Sequence, residues 1–360
     1  MARLPGAQTI RRIQSESRFM LNLRKLNLAL GAAAMTMTFA VALPSQAGTI
    51  YGAASNGGPL NFLLQLHPDG AGAVTSNRGY LTIRQTDDID VIPVTAMAGV
   101  NGVLKGTSLS AGGTFDYYSD LVPAPNGGAG GYSTNSGDIR TQHEGGDVYD
   151  DPISAMTPMG GDLYGASWDG DSNYFFQLLE NTNSPGAYAD NIGGITYGDS
   201  ERPFGYAIDT LATYDGQMYG TAFDGEYNLF FRINLDPDGA GAQVEGIGYL
   251  LANSVPDTFR VTAMVGTDDG IYASYWNEAH QFNYFSKITP GLNGFGGFET
   301  EIGDVRIQAG DRLNYKITSL GYLPDAAVGG VPEPATWALM IVGFGLAGAQ
   351  MRRRAAAVSQ

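Results

Sequence analysis

Two stretches near opposite ends of the chain decide the fold: TIYGAASNGGPLNFLLQL at residues 49–66 and ITSLGYL at residues 317–323. What they mean depends on a repeat that lies between them. One of its lines is VTAMAGVNGVLKGTSL from Val94, followed by ISAMTPMGGDLYGASW from Ile153, IDTLATYDGQMYGTAF from Ile208 and VTAMVGTDDGIYASYW from Val261. The anchors Met97, Met156, Leu211, Met264 and Leu320 stand 59, 55, 53 and 56 positions apart. A second element recurs as FLLQL at Phe62, FFQLL at Phe175, FFRIN at Phe230 and YFSKI at Tyr284. A third carries an Ile-Gly step: NIGGITY at Asn191, GIGYLLA at Gly246 and TEIGDVR at Thr300. Each unit therefore reads as four short strands, A to D, joined by glycine-rich turns as in an antiparallel meander.

Measured against that unit, the two ends are incomplete in complementary ways. Residues 49–66 supply strands B and C with no strand A before them, and ITSLGYL is a strand A with no B to D after it. A linear array would need a capping unit at each end, whereas complementary halves close a ring. Four-strand repeats at this spacing are the mark of propeller blades. The expectation is an all-β, five-bladed β-propeller over residues 48–324, closed by pairing 317–323 with 50–54. Unit two is irregular: it has Lys105 where other B strands have tyrosine, and its glycine-rich second half reads as loop-heavy.

Composition agrees. The chain has 360 residues with 51 Gly and 20 Tyr, and charged residues make up only 16%. There is no cysteine, which excludes disulfides and thiolate metal or redox sites. Between Gly48 and Val331 lie eleven basic and thirty-four acidic residues, a net charge of −23. Such a surface repels nucleic acid and anionic lipid.

The flanks carry addresses. Residues 1–19 read as an over-extended start. From Met20, Arg24 and Lys25 precede an apolar run from Leu28 to Leu43 and the small residues Ser45-Gln46-Ala47, a signal peptide over 20–47 cleaved after Ala47. A first transmembrane helix is disfavoured, because the run is short and ends in a processing site. After a linker at 325–331, Pro332-Glu333-Pro334 leads into an apolar segment, Ala335 to Ala349, that ends at Arg352, Arg353 and Arg354, with a tail at 355–360. Its length reaches into a bilayer, with the arginines cytoplasmic. The residues Pro332, Glu333, Pro334, Trp337 and Ala338 resemble the PEP-CTERM sorting signal in its PEPxxWA variant. That resemblance covers about the last thirty residues. It implies a Gram-negative bacterium, transient residence in the inner membrane, cutting by an exosortase, and delivery to the cell surface or extracellular matrix alongside exopolysaccharide. A permanent tail anchor is the plainer alternative.

In a propeller, strand A lines the channel, and the B-to-C and D-to-A connections share one rim. That rim gathers Asp87, Asp88, Asp90, Asp150, Asp151, Asp169, Asp171, Asp224, Glu226, Asp257 and Glu278. Trp168, Phe223 and Trp276 precede its acidic turns at equivalent places. The candidate ligand residues are Trp168, Asp169, Phe223, Asp224, Trp276 and Glu278, since aromatic faces stack on sugars and carboxylates accept hydroxyl hydrogen bonds. Against this, a repeated aromatic is more simply packing between blades. Asp169, Asp171 and Asn173 have the D-x-D-x-N spacing of a calcium loop, without its flanking helices or distal glutamate, so a plain turn is the simpler reading. Glycosidase chemistry needs two carboxylates converging on the axis, yet the A strands hold only Asp209. His67, His143 and His280 give no zinc spacing and no triad. No catalytic residue is assigned. A non-catalytic exopolysaccharide-binding protein is preferred to a polysaccharide-cleaving glycosidase or lyase acting through rim carboxylates, and a purely structural coat is the third reading.

Overall fold

A computed structural model describes residues 48–324 apart from 58–60, 84–93, 110–115, 126–127, 142–145, 199, 237–238, 293–294 and 309. The expected signal peptide, linker and sorting segment lie outside the described residues, as do Asp87, Asp88, Asp90 and His143.

The described part is all-β and propeller-like. The first sheet holds β1 (Thr49–Ser55), β2 (Asn61–Pro68) and β3 (Ala73–Ile83). The second holds β4 (Val94–Val100), β5 (Val103–Leu109), β6 (Asp116–Pro123) and β7 (Gly131–Arg140). The third holds β8 (Ile153–Met159), β9 (Asp162–Trp168), β10 (Asn173–Glu180) and β11 (Ala187–Tyr197). The fourth holds β12 (Ile208–Tyr214), β13 (Gln217–Phe223), β14 (Asn228–Leu235) and β15 (Ala242–Ala252), with β16 (Val255–Pro256) folded back on β15. The fifth holds β17 (Val261–Thr267), β18 (Gly270–Asn277), β19 (Phe282–Pro290) and β20 (Gly297–Ile307). The last strand, β21 (Lys316–Leu323), joins the first sheet antiparallel to β1, with Thr49 opposite Leu323 and Ser55 opposite Lys316. The two ends named at the outset meet in register.

Local chemistry explains the meanders. Asn101-Gly102, Gly160-Gly161 and Asp215-Gly216 take positive φ at both positions, the two-residue turn that matches strand twist. First strands are buried on both faces, which is why they read as near-continuous apolar runs. They also touch in sequence: β21 packs on β4, β4 on β8, β8 on β12, β12 on β17 and β17 on β21.

The outer strands close a second circle. Each fourth strand pairs at its start with its own sheet, then bulges and runs parallel to the fourth strand of the next. These parallel pairings are β3 with β7, β7 with β11, β11 with β15, β15 with β20, and β20 with β3. The bulge residue is left-handed in every case: Asn77, Asn135, Asn191, Gly246 and Glu301.

Lys105 is accounted for. Its ammonium sits 2.5 Å from Asp120, pairs with Glu180 of the neighbouring sheet, and lies over the Tyr118 ring. Burial pulls its pKa down, but the two carboxylates more than offset this and hold it above the ordinary value.

Candidate functional site

The axial channel is lined by the five first strands. At the end that carries the B-to-C connections it narrows to a cavity of about 20 Å³ ringed by Thr95, Ser154, Asp209, Thr262 and Thr318. The hydroxyls stitch strands together: Ser154 donates to the Ile208 carbonyl at 2.7 Å and Thr318 to that of Val94 at 3.0 Å. Asp209 is the one acid of the ring, and Arg260 grips both its oxygens, one of them through Nε at 3.2 Å. Burial pushes the Asp209 carboxyl up, against the hydrogen bonds and charge of Arg260. Below the ring Met97, Met156, Leu211, Met264 and Leu320 form an apolar belt. Toward the opposite end the channel widens, through cavities of about 240 and 540 Å³, to a mouth bearing Tyr214, Asp215, Asp268 and Tyr322.

Around the narrow end, the crossings between sheets that the described residues include are held at the start of the third strand. Asn173, buried, donates to the carbonyls of Phe204 (2.9 Å) and Tyr206 (2.8 Å) and accepts the amide of Ile208 (2.9 Å). Asn228 does the same to Asp257, Phe259 and Val261, and Asn283 to Leu313, Tyr315 and Ile317. Asp116 holds this place in the second sheet. One of its oxygens accepts the Ile153 amide at 2.9 Å, while Oδ1 is buried without a partner. Burial raises its pKa to about 7, against the pull of that amide, and Asp151 adds to the rise.

The side chain of Asn173, a calcium candidate in the sequence, is thus engaged in this clamp. Asp169 is equally engaged: Oδ1 accepts the amides of Asp171 (2.8 Å) and Ser172 (2.7 Å), and Oδ2 accepts the Tyr174 hydroxyl (3.1 Å). Those amides hold its carboxyl below the usual range. Asp224 makes the same turn with the amides of Glu226 and Tyr227. Two equivalent loops with one hydrogen-bond pattern are turn chemistry, in which the side chains of Asp169 and Asp224 are engaged alike. Among the described residues no group of three or more acidic or histidine side chains is arranged for a metal.

The other sequence candidates divide. Trp168, Phe223 and Asp224 are half-buried, and Asp169, Asp171 and Glu278 are exposed. Trp276 is buried and packs rather than presents its ring. Asp257 departs from the acidic rim as well. Its Oδ1 accepts the Phe259 amide at 3.0 Å, and its carboxyl shares a hydrogen bond with Glu299, which burial pushes up to about 8. His67 bonds Ser76 and His280 bonds Asn277, on different sheets.

One set went unread in the sequence. Tyr206 and Phe259, each two residues ahead of a first strand, are both 38% exposed beside the acidic turns. Tyr315 is their counterpart, stacked on Phe62 at 4.6 Å. Their shared offset from Ile208, Val261 and Ile317 was the available signal.

This arrangement defines the class, an all-β, propeller-like body with a constricted axis and an aromatic, acidic loop end. The address is read from the tail: residues 330–354 match the PEP-CTERM protein-sorting motif. The motif implies an exported protein processed by an exosortase, with a cell-surface or extracellular destination. No curated protein matches the chain. Among solved structures, the chain is similar to a GH43 beta-xylosidase/alpha-arabinofuranosidase from a compost microbial metagenome, at 11% identity and a TM-score of 0.36, covering 69% of this chain and 94% of that one. It is similar also to RS223-beta-xylosidase, at 8% identity and a TM-score of 0.37, covering 73% and 97%. A third is the aldose sugar dehydrogenase from Streptomyces coelicolor, at 12% and 0.28, covering 64% and 93%. Likeness at this level says nothing of this chain's activity.

Proposed function

We propose that this chain is a five-bladed propeller, delivered to the cell surface or matrix by its sorting tail, that binds exopolysaccharide at its loop end without cleaving it. The observation that carries the reading is the pairing of partly exposed aromatics with a spent axial acid. Trp168 and Phe223, half-buried, and Tyr206 and Phe259, more exposed, stand at the same end as Asp169 and Asp224, the apolar-plus-acceptor chemistry that suits sugars. Asp209, the one carboxylate on the first strands, is held by Arg260, and among the described residues no second acid lines the axial cavity with it. Among the described residues, Asp257 and Glu299 are carboxylates that share a hydrogen bond, and neither lines the channel ring.

Titration calorimetry with the native exopolysaccharide tests this. Trp168→Ala or Phe259→Ala is expected to weaken binding about tenfold each, the loss of one stacking contact. Chelating calcium leaves the affinity unchanged, because Asp169 and Asn173 are already engaged. Release of reducing ends from the polymer, or no heat of binding with any surface glycan, would contradict it.

A further inference from the structure

One turn of the fifth sheet departs from its counterparts. The link from third to fourth strand reads HPDGAGA at His67 in the first sheet and DPDGAGA at Asp236 in the fourth, and is uncharged but built of small and polar residues and proline in the second and third, whereas in the fifth it reads PGLNGFG over residues 290–296 and carries large apolar side chains. Leu292 is 91% exposed and Phe295 65%, and Phe298, at the start of β20, is 47% exposed. Three large apolar side chains thus stand in water at one corner of a strongly acidic body. Patches of this kind mark a surface that something covers.

Chain direction says which end they occupy. In each meander the turns from first to second strand and from third to fourth share one end. Pro324 lies at that end too, lining the channel mouth with Gly99, Pro158 and Gly266. The apolar stretch that begins at Ala335 follows after ten residues, which span at most about 35 Å when fully extended. The tail therefore leaves from the end that carries Leu292 and Phe295, and holds that end close to whatever the tail enters. We propose that Leu292 and Phe295 form a foot that rests in the interfacial zone of the inner membrane while the tail is uncleaved. The idea rests on the reading of residues 335–349 as bilayer-inserted. Phenylalanine and leucine settle at the headgroup–acyl boundary, and the uncharged turn brings no carboxylate against anionic headgroups. Contact made by so few side chains is reversible, so the foot lets go once the tether is cut.

The absence of cysteine makes the test direct. The full chain carrying a single cysteine at Leu292→Cys, Phe295→Cys, Ser184→Cys or Ala347→Cys is labelled with an environment-sensitive dye. It is then reconstituted into phosphatidylethanolamine/phosphatidylglycerol vesicles. Ser184 lies in the equivalent turn of the third sheet, so the dye's own affinity for lipid cancels. Lipid-borne nitroxide is expected to quench positions 292 and 295 about threefold more than 184, with 347 quenched most. Equal quenching at 292, 295 and 184, with 347 in lipid, overturns the foot alone. Position 347 in water overturns the sorting reading and the foot with it. Shielding of 292 and 295 that persists without vesicles and grows with protein concentration points to a second copy and overturns the foot.

Discussion

Gly193 and Gly194 are neighbours in sequence with opposite surroundings. A Cβ on Gly193 would run into the backbone of Ala240 and Gly241, while one on Gly194 would meet nothing within 4 Å. The close approach recurs at Gly79 on Ala129–Gly130, Gly137 on Pro185–Gly186, Gly248 on Phe295–Gly296 and Gly303 on Ala71–Gly72. The Ile-Gly step of the repeat is thus the seat where the next sheet's turn docks, two residues past a left-handed bulge. Gly193→Ala is expected to lower stability by about 1–3 kcal/mol through overpacking of rigid backbone. Gly194→Ala is expected to stay within about 0.5 kcal/mol of wild type, both read from urea midpoints. The step was legible in the sequence. Its cause was not, because the contacting atoms belong to backbone about fifty residues away.

Third strands start on a clamp, and one clamp is an acid. Where Asn173, Asn228 and Asn283 donate to two crossing carbonyls, the corresponding carbonyls for Asp116 are those of Tyr149 and Asp151, and an ionised carboxylate has nothing to donate. Asp116 therefore serves best protonated. An acid whose folded pKa lies above its unfolded value stabilises fully below the latter, near 4. The contribution declines as pH rises to about 7 and is flat beyond. Asp116→Asn is expected to be more stable than wild type at pH 8, by up to about 4 kcal/mol, with the gain vanishing below pH 4. The converse Asn173→Asp is expected to destabilise most at high pH. Thermal midpoints across pH 4–9 decide both, and a pH-independent difference would contradict the assignment. In the sequence Asn173 reads as the last position of D-x-D-x-N, because local spacing hides a clamp that shows only when Asp116, Asn173, Asn228 and Asn283 are laid over one another. Trp276 misled for a related reason, since equivalence of position does not carry equivalence of exposure.

At the scale of the whole molecule, the complementary ends were the most informative thing in the sequence, and the structure joins them residue by residue. What the sequence could not give was the second circle of parallel pairings among β3, β7, β11, β15 and β20. Its short register of two or three residues per contact follows from bulges that no hydrophobic pattern announces. Both circles require the last strand to lie on the first, and that is the claim on which the rest depends. A Thr49→Cys/Leu323→Cys pair in this cysteine-free chain tests it most directly, since directly opposed residues of an antiparallel pair lie within disulfide reach. Closure predicts a rapid intramolecular disulfide that raises the thermal midpoint. A chain that forms only intermolecular disulfides, or a separate Thr49→Cys/Lys316→Cys pair that closes as readily as the opposed one, would contradict it.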